Sequence, residues 1–213
     1  MPPADQRARA AALMRELGHD FVARELDDGQ LETVSEGLRD LIEIVRSAPA
    51  RTRAARSEGV ANYQRAVAGA ERTKHQLLSD SIVSGGANPM GLGAELWRED
   101  DTAFMQVTLG KAFEGAPGRA HGGVLAALLD ETMGLVNAMS GVLAYTVQLD
   151  ITYLAPAPIN EPITARASTV ARDGRKITVE GVVEAGELVI ARATGLFITV
   201  EPHKFLAQTT PGS

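Results

Sequence analysis

The chain has no cysteine among its 213 residues, which removes disulfides, thiolate nucleophiles and cysteine-ligated metals at once. Nothing in it therefore requires an oxidising compartment. It also lacks an excess of positive charge. The formal net charge is -6, whereas a partner held through its phosphates needs Lys and Arg to outnumber acids locally. Arg51, Arg53 and Arg56 form a basic cluster, but within SAPARTRAARSEG, a polar, proline-bearing stretch that reads as a linker. The opening segment MPPADQRARAAALMREL has no apolar core of the secretory kind, and its Asp and Glu argue against a transit peptide, so a cytoplasmic location is expected. The uncharged run over 132–149 approaches the length of a membrane span, but Asn137, Ser140, Gly141 and Gln148 make it a helix end, a turn and a strand start.

What is present divides in two. Over 5–47, Leu13, Leu17, Phe21 and Val22, and then Leu31, Val34, Leu38, Leu41, Ile42 and Val45, recur at helical spacing, with a break near Gly29. A further short helix is expected over 61–75, and packing of these amphipathic segments onto the chain's own core is the default. After NPMGL the pattern turns to strands. AELWRED and DTAFMQVTLG form a hairpin, the loop EGAPGRAHGG leads into one helix reaching about Met139, and four strand-like runs follow, separated by PIN, DG and AG turns. Val147, Leu149, Ile151 and Tyr153 share one side of a strand, and Ile177, Val179 and Gly181 one side of another. The fold class is α+β, a long helix on one face of about six antiparallel strands. Domain boundaries fall at 1–80 for a helical extension, 81–205 for the α+β domain and 206–213 for a tail.

The functional signal is FEGAPGRAHGGVLAALLDETMGLV, residues 113–136. Glycine is costly inside a helix, yet His121, Gly122 and Gly123 introduce one. The first turn of a helix carries N–H groups without intrahelical partners and favours negative charge, so bare backbone there can receive the oxygen of a carbonyl under attack. Such a donor lowers the barrier by roughly 3 kcal/mol. Asp130 supplies a carboxylate able to activate water or to attack the carbonyl itself. Gly122 and Asp130 are about 12 Å apart along one helix, too far for one small carbonyl to touch both. If they act together, the acid comes from a second copy, with two helices side by side about a two-fold axis. Taken singly, the same residues have plainer readings: glycines for a tight turn, Asp130 and Glu131 as exposed helix acids, His121 as a cap.

FEGAPGRAHGGVLAALLDE resembles the core motif of the hotdog-fold acyl-CoA thioesterases, in the branch that holds the carboxyl-terminal modulator-like long-chain enzymes and is related to the phenylacetic acid degradation thioesterases. The resemblance runs on through TVQLDITYLAPAP and DGRKITVEGVVEAGELVIARATGLFI, over about 85–204. It implies a helix wrapped by a curved sheet, paired subunits and often pairs of pairs. It implies hydrolysis of a fatty or related acyl-CoA, as in lipid metabolism, with no metal and no cofactor beyond the coenzyme A of the substrate. The Gly122 amide, beside His121, then polarises the thioester, and the partner's Asp130, not Glu131, is base or nucleophile, with Thr146 holding the water or carboxylate. Gly123 and Glu131 stand at the substrate, and Arg119, Arg175 and Lys176 are candidates for the CoA phosphates. Gly115 stands where many phenylacetic-type relatives carry Asn, six residues before the His. The rival readings are a hotdog protein that binds acyl-CoA or another apolar ligand without cleaving it, its helical extension serving as an interaction arm, and a hydratase, for which no His with a nearby acid is found.

Overall fold

Alternating apolar residues over 162–199 form three long antiparallel strands, and the rest of the sheet is built outward from them. The structure, a computed structural model, describes residues 3–51 and 80–201. Its strands are β1 (Glu95–Glu99), β2 (Thr102–Thr108), β3 (Glu114–Ala116), β4 (Arg119–Ala120), β5 (Ala144–Tyr153), β6 (Pro162–Asp173), β7 (Lys176–Ala185) and β8 (Leu188–Thr199). Six of them make one sheet in the order β1-β2-β6-β7-β8-β5, and β3 with β4 makes a separate ribbon. All neighbours in the main sheet are antiparallel. Gly174 and Gly186 turn the two long hairpins at φ of 54° and 57°, a left-handed backbone that glycine adopts without strain.

The helices are α1 (Pro3–Ala23), α2 (Asp28–Ser47) and α3 (Gly122–Met139). α3 lies against the sheet and buries Leu125, Leu128, Leu129, Met133, Leu135 and Val136. It sits close because the sheet has no side chain at one contact: a Cβ on Gly181 would stand 2.8 Å from Met133 Cε. Ile177, Val179 and Gly181 are buried on that inner face, as their alternation requires.

On β5 the alternation is weaker than expected. β5 is an edge strand, and its register against β8 slips between Thr146 and Gln148. Leu149 and Ile151 pack partly on the core, while Val147 and Tyr153 are exposed.

α1 docks onto the sheet domain through polar contacts more than through its apolar stripe. Arg15 Nη1 donates to the carbonyls of Asn88 and Gly86 at 2.7 and 3.2 Å. His19 Nδ1 accepts from the Ala112 N–H at 3.1 Å, and its ring meets Phe113 edge-on. Leu13, Leu17, Phe21 and Val22 stay exposed.

Burial and the nearby Arg15 charge hold the His19 imidazole below its ordinary value of 6.5. Undocked, His19 takes up a proton more readily than docked, so docking is complete above about pH 6.5 and weakens as pH falls below it. Hydrogen exchange over 3–23 should therefore speed up between pH 7.5 and pH 5 more than exchange in β6–β8; equal protection at both pH values would contradict this.

α2 departs from expectation twice. The break before it falls at 24–27, not at Gly29, because Asp27 caps the helix in a reciprocal box with Gln30 and draws Gly29 into the first turn. And α2 buries no residue, leaving Leu38, Leu41, Ile42 and Val45 exposed, so among the described residues its apolar face has no core to pack on. The helix expected over 61–75, the basic pair Arg53 and Arg56, and the tail over 206–213 lie outside the described residues. Among the described residues no helix is long and apolar enough to cross a membrane.

Candidate active site

The approach to α3 is built by a clasped loop. Lys111 Nζ bonds both oxygens of Glu114, at 2.8 and 3.0 Å, and the Gly118 N–H also donates to that carboxylate. These donors hold the Glu114 carboxyl below the usual carboxylate range. The His121 N–H then donates to Phe113 O at 2.8 Å, which closes the loop at the helix start.

His121 is the N-cap of α3. Its Nδ1 accepts from the Gly123 N–H at 2.9 Å. In the neutral ring this places the proton on Nε2, making that nitrogen a donor. The Gly122 N–H, by contrast, has no acceptor among the described residues. Of the two glycine donors, one is occupied by the cap and one is open.

Gly122 is also gripped from β5. Tyr153 Oη donates to Gly122 O at 2.9 Å, and a Cβ on Gly122 would meet the Tyr153 ring at 3.3 Å. The sequence reading missed Tyr153 as a neighbour of the helix start, because its place in a strand says nothing about where that strand ends relative to α3.

Gly115 packs under the cap: a Cβ there would lie 2.7 Å from His121 Cα. An Asn at 115 would require the His121 backbone to move, so the departure from the phenylacetic-type pattern goes with this placement of the cap.

Asp130 lies two turns on, half-buried, and Thr146 Oγ1 on β5 donates to its Oδ1 at 2.7 Å. The structure thus joins Asp130 with Thr146, and His121 with Gly122 and Gly123, but keeps the two groups about 12 Å apart along the helix.

Glu131 has a different occupation. Its Oε2 accepts from Ser81 Oγ at 2.6 Å, while its Oε1 accepts from the Ser84 N–H at 3.1 Å and from Ser84 Oγ. Both oxygens serve the 81–84 segment rather than facing an open site, and no spacing in the sequence signals that pairing. Ser84 is fully enclosed, so Glu131→Ala leaves its donors without partners and should cost about 2 kcal/mol in a denaturant titration. An unchanged midpoint would mean that water replaces the carboxylate.

The three candidate phosphate contacts are divided. Arg119 is on β4 near the start of α3, whereas Arg175 lies in the β6–β7 turn, donating to Thr199 O at 3.1 and 3.3 Å, with the exposed Lys176 next to it.

A long helix gripped by a six-stranded antiparallel sheet, with an open amide at its start, defines a hotdog domain. The family model of the thioesterase superfamily matches residues 117–191 of that domain. The mouse (Mus musculus) acyl-coenzyme A thioesterase THEM4 is 33% identical over 97 residues, covering 45% of this chain and 42% of that protein. Human (Homo sapiens) acyl-coenzyme A thioesterase THEM5 is 27% identical over 94 residues, covering 43% and 38%. The chain therefore spans less than half the length of these relatives. A crystal structure of a thioesterase superfamily protein is similar at a TM-score of 0.76 and 28% identity, covering 90% of each chain. A span of that size takes in N-terminal helix as well as the hotdog domain.

Proposed function

We propose that this protein hydrolyses a fatty or related acyl-CoA to the free acid and CoA. The observation that carries the reading is the pairing of an open Gly122 N–H at a helix start with a carboxylate, Asp130, held by Thr146. The acyl-coenzyme A thioesterases among its relatives support the substrate class.

In the proposed step the thioester oxygen accepts from the Gly122 N–H, with His121 Nε2–H beside it as a second donor. Thr146 fixes one oxygen of Asp130, and the other takes a proton from water as that water attacks the carbonyl carbon. The C–S bond then breaks, and the thiolate leaves and takes up the proton. Only water and groups of the chain take part. Because Gly122 and Asp130 of one chain cannot reach one carbonyl, the working unit is a homodimer in which each site combines the helix start of one copy with Asp130 of the other. Arg119, Arg175 and Lys176 are proposed as CoA phosphate contacts, one group from each end of α3.

Thiol release from a panel of acyl-, aryl- and hydroxyacyl-CoAs tests the reading. Turnover on at least one class supports it. Thermal stabilisation by acyl-CoA with no thiol release would replace it with ligand binding alone. A single turnover in isotopically labelled water separates the roles of Asp130: label entering its carboxylate would make it the nucleophile instead of the base.

A further inference from the structure

Lys111–Phe113 form a single 3-10 turn between β2 and β3, and the first N–H groups of such a turn have no acceptor within it. A side chain at the N-cap ordinarily takes one of them, but the N-cap here is Gly110, which offers none. The acceptor comes from α1 instead. His19 Nδ1 takes the Ala112 N–H at 3.1 Å, across 93 residues of sequence. Gly110 is what admits the ring, since a Cβ there would lie 2.6 Å from His19 Nδ1 and 2.7 Å from its Cγ. A glycine and a histidine from two distant elements thus replace a local cap.

What this turn carries is the start of α3. Phe113 ends the turn, its N–H on Gly110 O at 3.0 Å and its ring edge-on to His19 at a centroid distance of 5.2 Å. Phe113 O then accepts from the His121 N–H at 2.8 Å, at the base of the β3–β4 ribbon. His121 is joined directly to Gly122, whose N–H is open. The docked α1 therefore reaches the helix start through a continuous run of contacts, from His19 to Ala112 and Phe113 and on to His121. Its apolar stripe gives no separate reason for docking, because Leu13, Leu17, Phe21 and Val22 are exposed.

We propose that His19 is a positioning residue for hydrolysis: by capping the 110–113 turn it fixes the base on which His121 stands, and so the direction of the Gly122 N–H. The proposal rests on that N–H receiving the thioester oxygen, and it makes α1 part of the working site rather than an arm outside it. The oxygen is nearly neutral in the bound thioester and charged in the transition state, so a misdirected donor costs kcat more than KM. The loop keeps other anchors, with Asn160 N–H on Leu109 O at 2.7 Å, Ala120 N–H on Ala157 O at 2.9 Å, and the Lys111–Glu114 pair. Loss of the cap therefore redirects the donor without unfolding the loop.

The test replaces His19 in the full chain. His19→Phe keeps a ring against Phe113 but has no acceptor, whereas His19→Asn has no ring but keeps an acceptor, Oδ1, at the place of Nδ1. On an acyl-CoA that the unaltered protein cleaves, the Phe variant should lose about tenfold in kcat with KM within about twofold, and the Asn variant should stay within about threefold in kcat. In a Gly122→Pro background there is no amide to aim, so His19→Phe should lower kcat no further. His19→Ala, which needs no extra room, takes the place of the Phe variant if that protein does not fold. Equal kcat for the unaltered, Asn and acceptor-free proteins would overturn the proposal. So would equal losses in the Asn and acceptor-free variants, which would leave the acceptor without a role, or a tenfold loss that persists in the Gly122→Pro background. Each of these removes this inference alone, whereas no thiol release from any acyl-CoA by the unaltered protein removes the hydrolase reading and this inference with it.

Discussion

Asp130→Asn should lower kcat for acyl-CoA hydrolysis by about 1,000-fold while leaving the thermal midpoint nearly unchanged. The amide has the shape of the carboxylate, and its carbonyl oxygen can still accept from Thr146 Oγ1, so the link between α3 and β5 is retained. What is lost is the capacity to take a proton from water. The loss should appear in kcat rather than KM, because no part of the CoA moiety need touch this residue. Thiol release at the full rate from the Asn variant would sink the assignment of Asp130 as base or nucleophile.

Gly122→Pro addresses the other half of the site. Proline is favoured at the first position of a helix, where its missing N–H would have no intrahelical partner, and the extended backbone of His121, at φ of -67° and ψ of 133°, suits a residue before proline. The helix should therefore form, as circular dichroism can check, yet the open backbone donor is gone. Turnover should fall at least about 100-fold, the usual cost of one oxyanion donor. Gly122→Ala is the control. It keeps the N–H and adds a Cβ whose nearest neighbour is the Tyr153 side chain at 3.3 Å, so its activity should exceed that of the Pro variant by a wide margin. Equal activity in the Ala and Pro variants would mean that the amide does not receive the thioester oxygen.

The sheet was legible in the sequence because hairpin turns and period-two alternation are local signals; the strands around Gly174 and Gly186 follow from them directly. So was α3, from His121 to Met139. Three features were not, each because it depends on contacts distant in the chain. Val147 alternates like a buried residue but sits on an edge strand with a slipped register, and strand order cannot be read from one strand's pattern. α2 has the apolar stripe of a packed helix and buries nothing, since periodicity states that a face wants a partner without naming it. Glu131 looked like a neighbour of the site, but its oxygens go to Ser81 and Ser84, about fifty residues earlier in the sequence, and no spacing rule reaches that far. The gap between Gly122 and Asp130 is the opposite case, because helix geometry alone fixes it before any coordinate is known.

That gap makes the shared site the central claim, and subunit complementation tests it most directly. Asp130→Asn and Gly122→Pro proteins, each nearly inactive, are mixed, unfolded and refolded together so that hybrid dimers form. In a hybrid, one site pairs the altered helix start with the altered acid, and the other pairs the two intact groups. A random mixture should therefore recover roughly a quarter of the unaltered activity. Recovery to that level supports sites built across two copies. A mixture no more active than its separate components, with hybrid dimers demonstrated by mass, would place both groups of each site within a single chain and contradict the account.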